Sequence, residues 1–226
     1  MKNQVRRSGR TLYARRRRSL LLATVAAPCA AFALMVSTGG TAQAEPPAPP
    51  SADEAKTMLG ELTVKDPGSM DGYDRDKFPH WIDQGGNCDT REAVLKRDGD
   101  NVKTGSDCYP TSGTWTSPYD GKKWSKASDV DIDHVVPLAE AWRSGASDWT
   151  QDKRQELANN LKISQLLAVT DSLNQEKSDK DPAQWMPPKK DYQCQYARMW
   201  IWVKHEYKMT ADQAEKDALT KALGSC

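Results

Sequence analysis

The run Asp129-Val130-Asp131-Ile132-Asp133-His134-Val135-Val136-Pro137-Leu138 interleaves β-branched and acidic residues and closes on a proline, which predicts a strand over 130–138. Alternation along that strand puts Asp131 and Asp133 on one face. The apolar run 163–169 predicts a second strand, and 171–177 a short polar helix that ends before Asp181-Pro182. Between the strands, 139–142 and 151–157 read as short helices separated by Ser144-Gly145. Further out, helical spacing of Ala55, Met58, Leu59 and Leu62 predicts a helix over 52–64. Residues 108–121, rich in Thr, Tyr, Trp, Gly and Pro, suggest a short hairpin, and 73–81 has no clear period. Two longer helices close the chain. The first, over 192–207, carries Tyr196, Met199, Trp200 and Val203 on one face, and the second, over 210–223, opens on a Thr210-x-x-Gln213 capping box.

The ends of the 226-residue chain differ in character. Residues 1–44 combine an Arg-rich stretch ending at Arg18, an apolar run and Thr41-Ala42-Gln43-Ala44, the pattern of a signal peptide cut after Ala44. Four prolines in 45–51 predict an extended tether, leaving 52–226 as one domain. An exported chain loses Cys29 with the leader and keeps Cys88, Cys108, Cys194 and Cys226, which predicts two disulfides. Pairing Cys88 with Cys108 and Cys194 with Cys226 closes the shortest loops. The formal charge of +1 hides an asymmetry, because the leader holds eight basic residues and no acidic one. The remainder carries 24 basic against 31 acidic residues, a net of −7. With 28% charged residues the chain is no polytopic membrane protein, and the mature part lacks the basic field of a tight nucleic-acid binder.

Two words, Asp133-His134-Val135-Val136-Pro137 and Asn174-Gln175-Glu176-Lys177-Ser178-Asp179, resemble the D-H-[IV]-V-P and N-x-x-K-x-D signatures of HNH endonucleases, including the HNH domain of CRISPR nucleases. Together with Cys88-Asp89-Thr90-Arg91-Glu92 and Asp181-Pro182-Ala183-Gln184-Trp185, the chain from about residue 70 to 226 is similar to a secreted bacterial HNH family related to the C-terminal domain of GmrSD-type restriction enzymes. The resemblance implies an α+β fold with a ββα-metal (His-Me finger) core, flanking helices and two disulfides. It implies a secreted, monomeric endonuclease, free of the membrane once the leader is cut, that hydrolyses DNA, with RNA as an alternative substrate, and leaves 5'-phosphate ends. By the matching positions Asp133 and Asn174 would hold one divalent cation, Mg²⁺ or Mn²⁺. His134 would be the general base.

Elementary chemistry supports those residue types. Phosphodiester cleavage requires a base for water and a cation for the phosphoryl oxygens, and an imidazole of ordinary pKa is mostly neutral near pH 7. An ordinary His134 predicts activity that rises from pH 5 to 8. Mg²⁺ takes one or two protein oxygens and keeps several waters. Lys177, one turn beyond Asn174, is expected to face the same cleft and contact a phosphate. Arg91 is the other candidate for a phosphate, and Asp131 is a supporting or alternative metal ligand. Such nucleases carry a middle Asn that orients the loop bearing the base. Here Gln165 stands at that position, with Asn159 and Asn160 as alternatives. The competing readings are an exported binding module that keeps the scaffold without the chemistry, and a phosphodiesterase for substrates other than nucleic acid.

Overall fold

The computed structural model describes residues 45–226, and the leader expected over 1–44 lies outside the described residues. Seven helices and seven short strands follow in the order α1 (Ala52–Glu61), β1 (Asp83–Gly85), β2 (Cys88–Asp89), α2 (Thr90–Asp98), β3 (Gly99–Thr104), β4 (Pro110–Thr116), β5 (Lys123–Trp124), β6 (Val130–His134), α3 (Leu138–Arg143), α4 (Gln151–Ala158), β7 (Leu166–Thr170), α5 (Asp171–Lys177), α6 (Gln193–Glu206) and α7 (Gln213–Leu223). The strands form three small antiparallel sheets, β1-β2, β3-β4-β5 and β6-β7. Among the described residues no helix is long and apolar enough to cross a membrane.

The β6-β7 pair sits between two cores. Asp131 lies opposite Val169, Asp133 opposite Leu167 and His134 opposite Leu166. Val130, Ile132, Leu166 and Ala168 turn to a small core with Val94, Leu95 and Trp115, whereas Leu167 and Val169 join the main core built on α3, α6 and α7. Period-two alternation thus gives each side of the pair its own apolar partner. α6 buries Tyr196, Met199, Trp200 and Val203, the face its spacing predicts. Disulfides join Cys88 to Cys108 and Cys194 to Cys226, closing loops of 20 and 32 residues that each stabilise by about 3 kcal/mol through the unfolded chain.

Several local expectations are corrected. The hairpin is β3-β4, so it starts at Gly99, and Cys108 lies in its turn, not at the start of its first strand. The strand expected over 130–138 stops at His134, and α3 begins at Leu138. α7 is capped by Asp212, whose side chain accepts from the backbone N–H of Glu215. Thr210 instead gives its carbonyl to Lys204. The proline-rich segment is extended but not a free tether: Pro47 O accepts from Ser164 Oγ, and the carbonyls of Pro49 and Pro50 accept from Arg198 on α6.

One buried network joins α3, α6 and α7. Lys204 Nζ, fully buried, shares its three N–H donors among four acceptors, Glu140 at 2.9 Å, Glu215 at 2.7 Å, Ser144 Oγ and Thr210 O. Trp200 Nε1 donates to the other oxygen of Glu215. Arg143 bonds Glu140 and Asp179 and extends the alternation of charge to the surface. Burial and the nearby Glu140 carboxylate push Glu215 up to about 7, against the pull of Lys204. A carboxyl raised on folding adds stability that is complete below about pH 4.5 and is lost as pH rises toward 7. Glu215→Gln should therefore gain on the wild type by up to about 3 kcal/mol between pH 4.5 and 8. Thermal melts of both proteins across that range check this, and parallel pH profiles would refute it.

Candidate active site

β6 delivers Asp133 and His134 to the mouth of a cleft of about 370 Å³, and α5 delivers Asn174 to the same cleft. The short turn from β7 into α5 lays that helix across the Asp131 and Asp133 face of β6. Asn174 Nδ2 donates to Asp131 Oδ2 at 3.2 Å, and Lys177 Nζ donates to Asp133 Oδ1 at 2.8 Å, one helical turn apart. The strand's alternation and the helix's i, i+3 spacing match.

His134 is held from several sides. Its Nε2 lies 2.9 Å from the carbonyl of Ala158 at the end of α4. A carbonyl only accepts, so Nε2 carries the proton and Nδ1 is left as the ring's acceptor. Trp81 stacks on the imidazole with ring centroids 5.7 Å apart. Trp81 has φ +60°, a left-handed conformation costing about 1–2 kcal/mol in a residue with a Cβ. Asn159 holds that loop in place, because its side chain accepts from the N–H of Ile82 and donates to Pro79 O. The enclosure lowers the pKa of His134 to about 3, chiefly by desolvation, with the Arg75 charge adding to it and the Ala158 bond opposing. The imidazole is thus a neutral base well below pH 5. The rise from pH 5 to 8 expected of an ordinary histidine therefore has no source in this ring.

The chain two residues beyond His134 is fixed by Gln165. Fully buried, it donates from Nε2 to Val136 O at 2.9 Å and accepts from Val136 N–H at 3.1 Å. A longer amide than Asn thus clamps the chain two residues beyond His134. Asn160 is bound to Tyr207 and does not reach this loop.

Two placements differ from expectation. Lys177 is fully buried and bonds Asp133 and the carbonyl of His134, so it lies behind the cleft and does not meet a phosphate there. Desolvation lowers its pKa and raises that of Asp133, while their mutual attraction opposes both shifts. Asp133 Oδ2 also accepts from the buried Tyr119 hydroxyl, a partner for which the sequence offers no local cue. Arg91 donates to the carbonyls of Ala127 and Val130, so it serves as a brace under β6. Asp131 is raised by desolvation and by the nearby Asp171, against the Asn174 bond.

The donor set suits a hard cation. Asn174 spends its amide N–H on Asp131 and keeps its carbonyl oxygen, and each Asp133 oxygen retains a lone pair beyond the bond it already accepts. Among the described residues no three His, Cys, Asp or Glu side chains converge as a metal cage. One or two oxygens fit an ion that keeps most of its waters. A larger cavity of about 590 Å³ lies under the 45–49 segment, but it holds no imidazole, and its Asp98 is already bound to Arg97 and Ala168 N–H.

The chain is 56% identical over 181 residues to an uncharacterized secreted protein of Arthroderma benhamiae, covering 80% of this chain and 89% of that one. No solved structure matches it. The relative's description agrees with the export signal read at residues 1–44, and the protein is a secreted one. Residues 90–222, which include β6, β7 and α5, match the family model of the C-terminal domain of GmrSD restriction endonucleases. That match covers more than half of the chain, and the protein belongs to this family.

Proposed function

We propose that the protein is a secreted, metal-dependent HNH endonuclease that hydrolyses DNA, with β6, β7 and α5 as its ββα-metal core and 52–226 as one catalytic domain. The observation that carries this reading is the single bond from Nε2 to Ala158 O, together with the burial that keeps the ring neutral, which leaves Nδ1 of His134 as its acceptor on the same cleft as Asn174 and Asp133. His134 takes the proton of the attacking water at Nδ1. Ala158 O holds the Nε2 proton and keeps the ring in one tautomer. Gln165 holds the strand end against movement, and Trp81 keeps bulk water from one face of the ring.

Asp133 and Asn174 would hold the cation, Mg²⁺ or Mn²⁺, which supplies charge stabilisation for the phosphoryl oxygens when bound. Lys177 and Tyr119 position Asp133, and Asp131 orients Asn174. Because Lys177 offsets the charge of Asp133, these side chains alone would hold the ion weakly.

Purified mature protein should nick and linearise plasmid DNA with millimolar Mg²⁺ or Mn²⁺ and do neither with excess chelator. Intact plasmid under both conditions, alongside intact RNA and small phosphodiesters, would remove the enzymatic reading and leave an exported binding module.

A further inference from the structure

The displacement of Lys177 from the cleft leaves the substrate phosphate without its expected partner. Three of the cations around the site are committed. Lys177 is buried on Asp133, Arg143 is bound by Glu140 and Asp179, and Arg91 is bound to two carbonyls. Arg75 is different. It lines the same cleft as His134 and Asn174, is exposed, and pairs with no carboxylate among the described residues. Its backbone is nevertheless well anchored. It opens a 3₁₀ turn, Arg75–Lys77, capped by the Asp74 side chain, and its carbonyl accepts from the N–H of Phe78. Phe78 is fully buried with its ring 6.4 Å from that of Trp142. A fixed stem under a free guanidinium is the arrangement that presents a planar fork to two oxygens of one phosphate.

We propose that Arg75 is the phosphate-binding residue of this cleft, gripping a phosphodiester of a nucleic-acid strand beside His134. The proposal rests on the nuclease reading above. Arg75 precedes residues 90–222, so the family match assigns it nothing. On a body of net charge −7, one unpaired guanidinium beside the base is the local attraction that opposes general repulsion of a polyanion.

The test uses a fluorescein-labelled single-stranded 12-mer DNA, with binding read by anisotropy in excess chelator and cleavage read in Mg²⁺. Relative to wild type, Arg75→Gln should bind about tenfold more weakly at low salt. Its plot of log affinity against log salt should be shallower by about one. KM should rise by about the same factor while kcat changes less. Arg75→Lys should restore the salt slope but only part of the affinity. Thermal melts should be unchanged, since the side chain is exposed. If wild type cleaves and Arg75→Gln matches it in affinity, salt slope and KM, the inference is overturned while the nuclease reading stands. If wild type binds the strand but cleaves nothing, the nuclease reading falls and the binding arm alone decides on Arg75. Undetectable wild-type binding together with no cleavage overturns both.

Discussion

His134→Ala should lose about two to four orders of magnitude in the rate of DNA cleavage while remaining folded. The size follows from the role. A positioned base contributes that much to a proton transfer, and among the described cleft residues no other neutral imidazole stands ready. His80, the neighbour of Trp81, is not among the residues that line the cleft. The structural cost is smaller and separable. Truncation removes the stack on Trp81 and leaves Ala158 O without its donor, a loss of about 1–3 kcal/mol. Single-turnover cleavage at a temperature well below the melt, with circular dichroism confirming the fold, checks it. A variant that cuts as fast as wild type would remove His134 from the chemistry.

Lys177→Met should lower stability by about 3–5 kcal/mol. The ammonium is fully buried and makes both of its bonds to groups of β6, the Asp133 carboxylate and the His134 carbonyl. Removing it strands a carboxylate at 4% exposure with only the Tyr119 hydroxyl for company. For a domain of this size the melt should fall by roughly 10 °C or more. Pairing it with Asp133→Asn should recover much of the loss, because the uncompensated charge goes with the carboxylate. If Lys177→Met instead melted like wild type and lost only activity, the lysine would be acting on substrate as the sequence alone suggests, and the buried placement would be wrong.

That contrast marks where the sequence is legible. β6 and α6 declare themselves through their periodic patterns, β7 through its apolar run and α5 through its short polar stretch, whereas Asp133, His134 and Asn174 are singled out by the resemblance of their two words to HNH signatures. Lys177 is found as well, but its burial is not, since a lysine on a short polar helix reads as surface until Asp133, 44 residues earlier, is placed beneath it. The Ala158 carbonyl that sets the imidazole tautomer is a backbone group and leaves no mark in the sequence. α2 escapes notice because only Thr90, Val94 and Leu95 are buried, too narrow a stripe to show a period. Its capping box, Asp89-x-x-Glu92, was the available cue. At α7 two such boxes overlap, Thr210-x-x-Gln213 and Asp212-x-x-Glu215, and only the tertiary demand of Lys204 for Thr210 O separates them.

The bonds that hold His134 and its loop are all long in sequence: 24 residues to Ala158, 29 from Gln165 to Val136, and 43 from Lys177 to the carbonyl of His134. No shorter chain ending before Lys177 contains them together. In biosynthetic terms the cleft cannot assemble while its second half is still being made or threaded across a membrane, so under the proposed function the producing cell would handle a chain that is not yet armed.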